Sequence, residues 1–521
     1  MLTGKNLISI LIIISAFALL YNYSNLKTEY IPNSPDEAQS RFFAYHFIET
    51  GELQWESELN NKYGTTIFAP RNLAALGQNV YAPKKPLLYI LTMATFGVFS
   101  RIEYFTPVFG LLGIMVFFLV LRKLAGNKIA LVSSIFIGIS PVYLLYSVFY
   151  WEHVPALVLT FLAYYTFLRF QESRKTAYLI LTGLFLVVAI FMRPVDILSI
   201  SSFVVVLLLF YWKSFSIRSV VITGFIFIIS SIPYLFLNKL VFGGFFNIPE
   251  IMRASSYLEQ SDYSVIPMDI NMYYASFMNH VILVQIVSAM AVMGIIYVLL
   301  RGNSHLWKFS IAVLAYCLVI FVFYGARDTT YAFGGGNIFA SLNRYFLPIS
   351  AMSYLFAGIF IGVLSTHFKK TTIIKPITAL AILLVVVISL RMSLVSSGGV
   401  NERSSTMQRW SQRIGVIRQL PEDSIVFTSE GDKYIFPTRN VAITYTSDSP
   451  KIIERPDTAL IYQILDVENE FMPLITKLNN DRMSTYITHE SNTLPLINQL
   501  RGDDRFELET VNTWLYKIEL R

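Results

Sequence analysis

The sequence predicts a mainly α fold: a polytopic bundle of about eleven membrane helices, followed by a small α/β domain. Three observations carry that expectation. Charged residues are only 14% of 521 positions while 54% are hydrophobic, whereas roughly a quarter are charged in a soluble chain. Apolar runs recur along most of the chain, each close to the ~20 residues that cross a bilayer. Lys and Arg cluster at alternate turns between these runs, as the positive-inside rule requires of cytoplasmic loops. The mean hydropathy of +0.54 agrees. The net charge of +7 therefore reads as topology, with no nucleic-acid partner. The 31 Tyr and 41 Phe suit many membrane–water interfaces. The single cysteine, Cys317, excludes an internal disulfide and reads as a small apolar residue.

In chain order, NLISILIIISAFALLY (6–21) is long for a signal peptide and lacks a small-x-small cleavage site. It reads as an uncleaved first helix, and Lys5 keeps its start in the cytoplasm. Residues 22–103 then lie outside. Within them PLLYILTMATFGVFS is apolar but short, and reads as a membrane-surface or re-entrant helix. Spans follow near 104–121, 129–148 and 154–168, then a hairpin over 177–211 that turns at MRPVD. Further spans fall near 219–238, 280–300, 309–325, 345–363 and 376–395. Arg122 and Lys123, Arg174 and Lys175, Lys213 and Arg218, and Arg301 and Lys308 mark inner turns. Loops 149–153, 239–279 and 326–344 fall outside, as does the polar tail. That division predicts a membrane domain over 1–395 and an extracytoplasmic α/β domain over 396–521. In the tail, SIVFTS, NVAITYT, TALIYQIL and MSTYITH read as strands and EFMPLITKLNND as a helix.

The polar residues on the outer side are the candidates for chemistry. Ser34-Pro35-Asp36-Glu37 is a good helix start, with Ser34 as N-cap, Pro35 at the first helical position and Glu37 closing a capping box. The helix should end at Gly51, and Arg41 is placed to pair with Glu37. The cap explains Glu37 but leaves the Asp36 side chain unassigned. Lys84 and Lys85, just ahead of the apolar segment, suit either a lipid-linked phosphate or simple snorkelling. Glu152 and His153 lie at the outer end of a span, where ionisable groups are costly and often functional. His153 has no second histidine at ligand spacing, and His46 and His280 read as structural. Arg344 heads a membrane helix from the outer side and suits bidentate phosphate binding. Arg193 and Arg327 are weaker versions of the same idea. The run GGGNIFASLN lacks the helix that a phosphate-binding P-loop needs.

Together these residues resemble the GT-C-type membrane glycosyltransferases. The resemblance rests on the Asp36-Glu37 pair in a long first loop, KP before an apolar segment, an acid in the second loop and RYFLP opening a late helix. NKLVFGGFFN is also similar to a segment common in that group. The branch it most resembles holds dolichyl-phosphate-mannose protein mannosyltransferases and aminoarabinose lipid A transferases. The resemblance implies a polyprenyl-phosphate sugar donor, inversion at the anomeric carbon, and a glycan, lipid or protein acceptor at the plasma membrane. It implies Asp36 as general base and Glu37 as its helper. Lys85, with Lys84 as alternate, would hold the donor phosphate. Glu152 and His153, and Arg344 and Tyr345, would bind substrate. No cofactor is firmly implied. A divalent metal is admitted, although Lys84 stands where aminoarabinose-type members carry an acid. A rival reading, a flippase of lipid-linked saccharide, predicts repeated halves and charges inside several spans. The sequence shows neither. A third reading, a scaffold displaying the tail, leaves the acids and lysines of the loops unexplained.

Overall fold

The computed structural model describes residues 32, 34–71, 73–77, 79–214, 216–249, 281–325, 344–367, 374–395, 399–443, 471–490 and 493–521. The expected first membrane helix, Arg327, His280, the glycine-rich run before Arg344 and the strand expected at TALIYQIL lie outside these residues. The chain divides into two compact units. One comprises Met1–Lys27, Ser100–Leu237 and Ala254–Ser404, the other Thr28–Phe99, Asn238–Arg253 and Ser405–Arg521.

In chain order the elements begin with α1 (Pro35–Thr50), β1 (Trp55–Glu56), α2 (Glu58–Tyr63), β2 (Leu73–Ala75), β3 (Val80–Pro83) and α3 (Leu87–Phe99). Next follow α4 (Phe105–Ala125), α5 (Asn127–Gly138), α6 (Pro141–Tyr146), α7 (His153–Ser173), α8 (Thr176–Met192), α9 (Ile197–Tyr211) and α10 (Ile217–Phe242). After them come α11 (Val281–Arg301), α12 (Ser304–Gly325), α13 (Leu347–His367) and α14 (Ile374–Val395). Among the described residues six helices are long and apolar enough to cross a membrane: Ile102–Ala125, His153–Ser173, Pro194–Tyr211, Ile217–Phe242, Ser304–Tyr324 and Leu347–Ser365. Each coincides with an expected span. Shorter apolar helices occupy Asn127–Gly138, Thr176–Met192, Ile286–Arg301 and Ala379–Val395. This is a multi-pass membrane fold. One expected span differs. The run 129–148 is broken after Gly138, because Pro141 lacks the N–H that would continue the helix and starts α6 instead. The hairpin over 177–211 turns where expected, at Arg193–Asp196.

Helix α13 sits against both α5 and α11. Its Gly358 and Gly362 lie against Ser133 and Ile129 of α5, and Gly294 of α11 lies against the Phe356 carbonyl. Small residues let helix backbones approach closely where lipid offers no hydrophobic drive. A Cβ at Gly358 would overlap the Ser133 backbone. Gly358→Val is therefore expected to destabilise the bundle by about 1–3 kcal/mol. A lowered melting temperature of the purified protein in detergent would register it, and an unchanged one would contradict the close packing.

The second unit contains α1–α3, β1–β3 and the tail. The tail elements are α15 (Val400–Gln419), β4 (Ile425–Thr428), α16 (Asp432–Ile435), β5 (Asn440–Ile443), α17 (Met472–Asn480), β6 (Thr485–Thr488), α18 (Leu494–Gly502), β7 (Phe506–Asn512) and β8 (Leu515–Leu520). Its main sheet has the order β5-β4-β6-β8-β7. β4 runs parallel to both β5 and β6, while β8 is antiparallel to β6 and β7. β4 and β6 are buried at every residue, as parallel strands covered on both faces must be. The expected strands at SIVFTS and MSTYITH and the helix at EFMPLITKLNND are present. The terminal hairpin β7–β8 adds two strands to those expected.

The two compact units divide the chain differently from a cut at 395/396. The core that packs Ile425, Phe427, Ile475 and Ile487 also contains Tyr63, Ile67 and Phe68 from the first loop. The Ile443 N–H of β5 donates to the Ile67 carbonyl at 3.1 Å. Loop and tail therefore share one hydrophobic core. A second sheet, β1-β3-β2, is antiparallel, with Trp55 opposite Tyr81 and Leu73 opposite Pro83. Helix α3 has 13 residues. At ~1.5 Å per residue it is too short to span a bilayer. Phe99 at its tip is 86% exposed.

Candidate active site

In the second unit, α1 begins as the sequence requires. Ser34 is extended, at φ −137°, and its Oγ accepts from the Glu37 N–H at 3.2 Å. Pro35 follows at the first helical position, and Gly51 ends the helix at φ 77°, its N–H donating to the Phe47 carbonyl. Asp36 and Glu37 thus occupy the first turn, where exposed N–H groups favour negative charge. The two carboxylates then diverge. Glu37 is fully buried. Asp36 faces Lys85, with Nζ 3.5 Å from Oδ2. Arg41 lies over the Tyr45 ring at 5.6 Å.

Lys85 reaches Asp36 because β3 delivers it. Lys84 and Lys85 link β3 to α3 between Pro83 and Pro86, whose rings restrict the backbone on either side. Tyr81 fixes β3 by accepting from Asn60 Nδ2 at 2.7 Å and donating to the Thr66 carbonyl at 3.0 Å. Burial pushes its phenol up to about 12. The Lys84 N–H donates to Gln39 Oε1 at 2.9 Å. Gln39, buried one turn after Asp36, therefore ties α1 to the lysine link a second time. Sequence reading missed Gln39, because nothing local distinguishes it from any polar helix residue. His46 has a structural place, as expected: its ring stacks on Phe42 and Nε2 lies 3.0 Å from the Gln54 carbonyl.

In the first unit the other four expected residues come together. Glu152 and His153, both 2% exposed, open α7, with His153 Nδ1 3.7 Å from Glu152 Oε1. The His153 ring lies 5.8 Å from that of Tyr345. Tyr345 stacks on Tyr324 of α12 at 4.5 Å and 10°. Arg344 lies 4.2 Å above the Trp151 ring and donates to the Tyr345 hydroxyl at 3.0 Å. Arg193, a weaker sequence candidate, belongs to the same cluster. It pairs with buried Asp196, donates to the Tyr324 hydroxyl at 3.0 Å and lies over the Tyr345 ring at 5.7 Å. Asp196, Tyr324 and Trp151 were not singled out from the sequence. The Arg-x-x-Asp spacing of RPVD was the available signal for Asp196.

A cavity of about 400 Å³ lies between α7, α8, α9 and α10, lined by apolar side chains that include Phe167, Phe203 and Phe227. Ile190, one turn before Arg193, and Ile197, directly after Asp196, also line it. The first unit therefore offers a greasy slot beside a cationic, aromatic cluster. That combination suits an amphiphile with an anionic head. Among the described residues no three His, Cys, Asp or Glu side chains gather as a metal would need.

Comparisons with known proteins bear on the fold. The family model described as dolichyl-phosphate-mannose-protein mannosyltransferase matches residues 84–236. The structure is similar to ArnT from Cupriavidus metallidurans bound to undecaprenyl phosphate, with a TM-score of 0.63, 10% identity, and 99% of this chain and 98% of that one covered. It is also similar to the apo state of the same ArnT, with a TM-score of 0.60, 10% identity and 98% and 97% coverage. The archaeal oligosaccharyltransferase AglB from Archaeoglobus fulgidus, in complex with an inhibitory peptide and a dolichol-phosphate, matches at a TM-score of 0.52 and 10% identity, with 92% of this chain and 69% of that one covered. No curated protein matches by sequence. The fold is that of the GT-C-type membrane glycosyltransferases, as the sequence resemblance implied.

Proposed function

We propose that this chain, with its GT-C-type fold, is a polyprenyl-phosphate-dependent glycosyltransferase. It would move a hexose-type sugar, with inversion, to an acceptor hydroxyl on the extracytoplasmic side of the membrane. The observation that carries the reading is the Asp36–Lys85 pair, a carboxylate base beside a buried ammonium at the start of a capped helix. Asp36 takes the proton of the acceptor hydroxyl. The acceptor oxygen bonds to the anomeric carbon from the face opposite the phosphate. The bond from that carbon to the phosphate oxygen breaks, and its electron pair leaves with the lipid phosphate. Lys85 has three N–H donors, so it can hold Asp36 and still neutralise the leaving phosphate. Glu37 supports the first turn from within the protein, and Lys84 adds a second positive charge in the same link.

The first unit supports the reading independently. Arg344 and Arg193 offer planar guanidinium groups to a phosphate. Tyr345, backed by Tyr324, offers an aromatic ring beside them. Glu152 and His153 offer hydrogen bonds, and the apolar cavity suits a polyprenyl chain. The solved relatives were captured with undecaprenyl phosphate and with a dolichol-phosphate. The acceptor class, whether glycan, lipid or protein, is open to the same test as the sugar.

That test compares glycans and lipids, by mass spectrometry, from cells with and without the protein. One sugar should go missing from one acceptor. In proteoliposomes supplied with that donor, Lys85→Met should slow transfer by about 10²–10³-fold, the usual effect of losing one preorganised charge partner. Movement of donor across the bilayer with no covalent transfer would replace this reading with a flippase.

A further inference from the structure

The ion pair Arg71–Asp432 has no part in the chemistry above, yet it is buried and made several times over. Arg71 Nε donates to Asp432 Oδ1 at 2.9 Å and Nη2 lies 2.7 Å from the same oxygen. The Arg71 backbone N–H donates to Oδ2 at 2.8 Å, and Nη2 also reaches the Glu430 carbonyl at 3.1 Å. The Asp432 side chain is only 1% exposed.

Asp432 opens α16, at the C-terminal end of β4. β4 lies between two parallel neighbours, β5 and β6; from β4 the chain goes on to β5, and from β6 it goes on to β7 and β8 on the opposite side, so the order reverses between β4 and β6. In open α/β sheets this is the crevice where ligands enter. Here a side chain fills it. The Glu490 carboxylate, from the loop after β6, accepts from the Ser429 N–H at 2.7 Å, the Glu430 N–H at 2.9 Å, Ser429 Oγ at 2.8 Å and Thr428 Oγ1 at 3.0 Å. An internal carboxylate thus occupies the position of an anion and fixes the loop that leads into α16.

Helix α16 in turn holds both arms of the Asp36–Lys85 pair. Phe436, just past its end, packs edge-on against Phe42 of α1 at 4.6 Å and against Trp55 at 5.4 Å. α1 carries Asp36. On the other arm, Arg71 stands just before β2, β2 pairs with β3, and β3 leads into Lys85. We propose that α16 is a clamp that sets the spacing of Asp36 and Lys85, and that Arg71 and Asp432 are positioning residues for transfer. The inference rests on the reading of Asp36 and Lys85 given above. The physical reason is that reacting groups misplaced by ~1 Å lose about 10²-fold in rate, and this pair joins two segments that lie far apart in the chain.

The test uses full-length Asp432→Asn, which is isosteric, and Arg71→Lys, which keeps the charge but loses the guanidinium fork, with Lys62→Gln as control. Lys62 makes another bridge between loop and tail, to Asp481 at 3.0 Å, but it is 53% exposed. Hydrogen–deuterium exchange in proteoliposomes should rise in residues 35–43 and 80–86 for the first two variants and stay unchanged in residues 494–502. Their kcat should fall by about tenfold, short of a full 1 Å displacement, with the donor KM within about twofold of wild type. Lys62→Gln should change neither readout. Unchanged exchange in the two arms, exchange that rises throughout the unit, or an equal loss in Lys62→Gln would each overturn the clamp. If the wild-type protein transfers no sugar, the reaction assigned above fails, and the exchange data decide the clamp separately.

Discussion

Asp36→Asn is expected to slow sugar transfer by about 10²–10⁴-fold, the contribution of a positioned general base. The substitution keeps the size of the side chain and its place in the first turn of α1. It removes the negative charge and with it the ability to take a proton. Ser34 and Pro35 still begin the helix, because neither depends on the Asp36 carboxylate. The variant should therefore insert and purify like the wild type, with a lowered melting temperature because Lys85 loses its counter-ion. Donor KM should stay level or fall, since Lys85 no longer shares its charge with Asp36 across 3.5 Å. Initial rates with labelled donor in proteoliposomes, beside a melting curve, separate the two effects. A folded Asp36→Asn that transfers within about threefold of wild type would remove Asp36 from the mechanism, because a positioned base contributes far more than that.

Arg193→Met is expected to be costly for a different reason. It leaves the Asp196 carboxylate buried without its counter-ion, removes the hydrogen bond to Tyr324 and takes the cation from two tyrosine faces. Breaking one side of a buried ion pair costs about 3–5 kcal/mol. The double variant Arg193→Met/Asp196→Leu should recover most of that loss, because well-packed apolar groups often replace a buried pair at little cost. It should not recover transfer if the guanidinium serves the donor phosphate. Melting in detergent and transfer rates on the same samples distinguish the outcomes. A double variant that regains both would make Arg193 purely structural.

These two predictions draw on different kinds of legibility. The start of α1 is readable from four residues, because a capping motif is a contact between neighbours three apart. The sidedness expected of the loops puts Asp36, Lys85, Glu152 and Arg344 in one compartment, because membrane helices and basic turns follow composition. The break at Pro141 is present in the sequence too, since a proline inside an apolar run removes a helix hydrogen bond. The hairpin β7–β8 shows only a weak alternating pattern, and its strands gain definition from pairing with β6.

By itself, then, the sequence determined the class of fold, most of the expected spans, the helix that begins at Ser34 and the residue types gathered around it. These rest on local hydrogen bonds and on the cost of placing polar backbone in lipid, both of which act over a few residues. The tertiary structure alone decided the rest. It turned Asp36 toward Lys85 and buried Glu37, which a linear reading treats as a pair. It brought Lys84 to Gln39, placed Tyr324 and Asp196 beside Arg193, and put Tyr63, Ile67 and Phe68 into the core of the tail. Most of these contacts join segments far apart in the chain, and the few that do not, such as Arg193 with Asp196, are set by how buried helices pack around a turn. They follow from how whole elements pack, and no short stretch of residues encodes that packing.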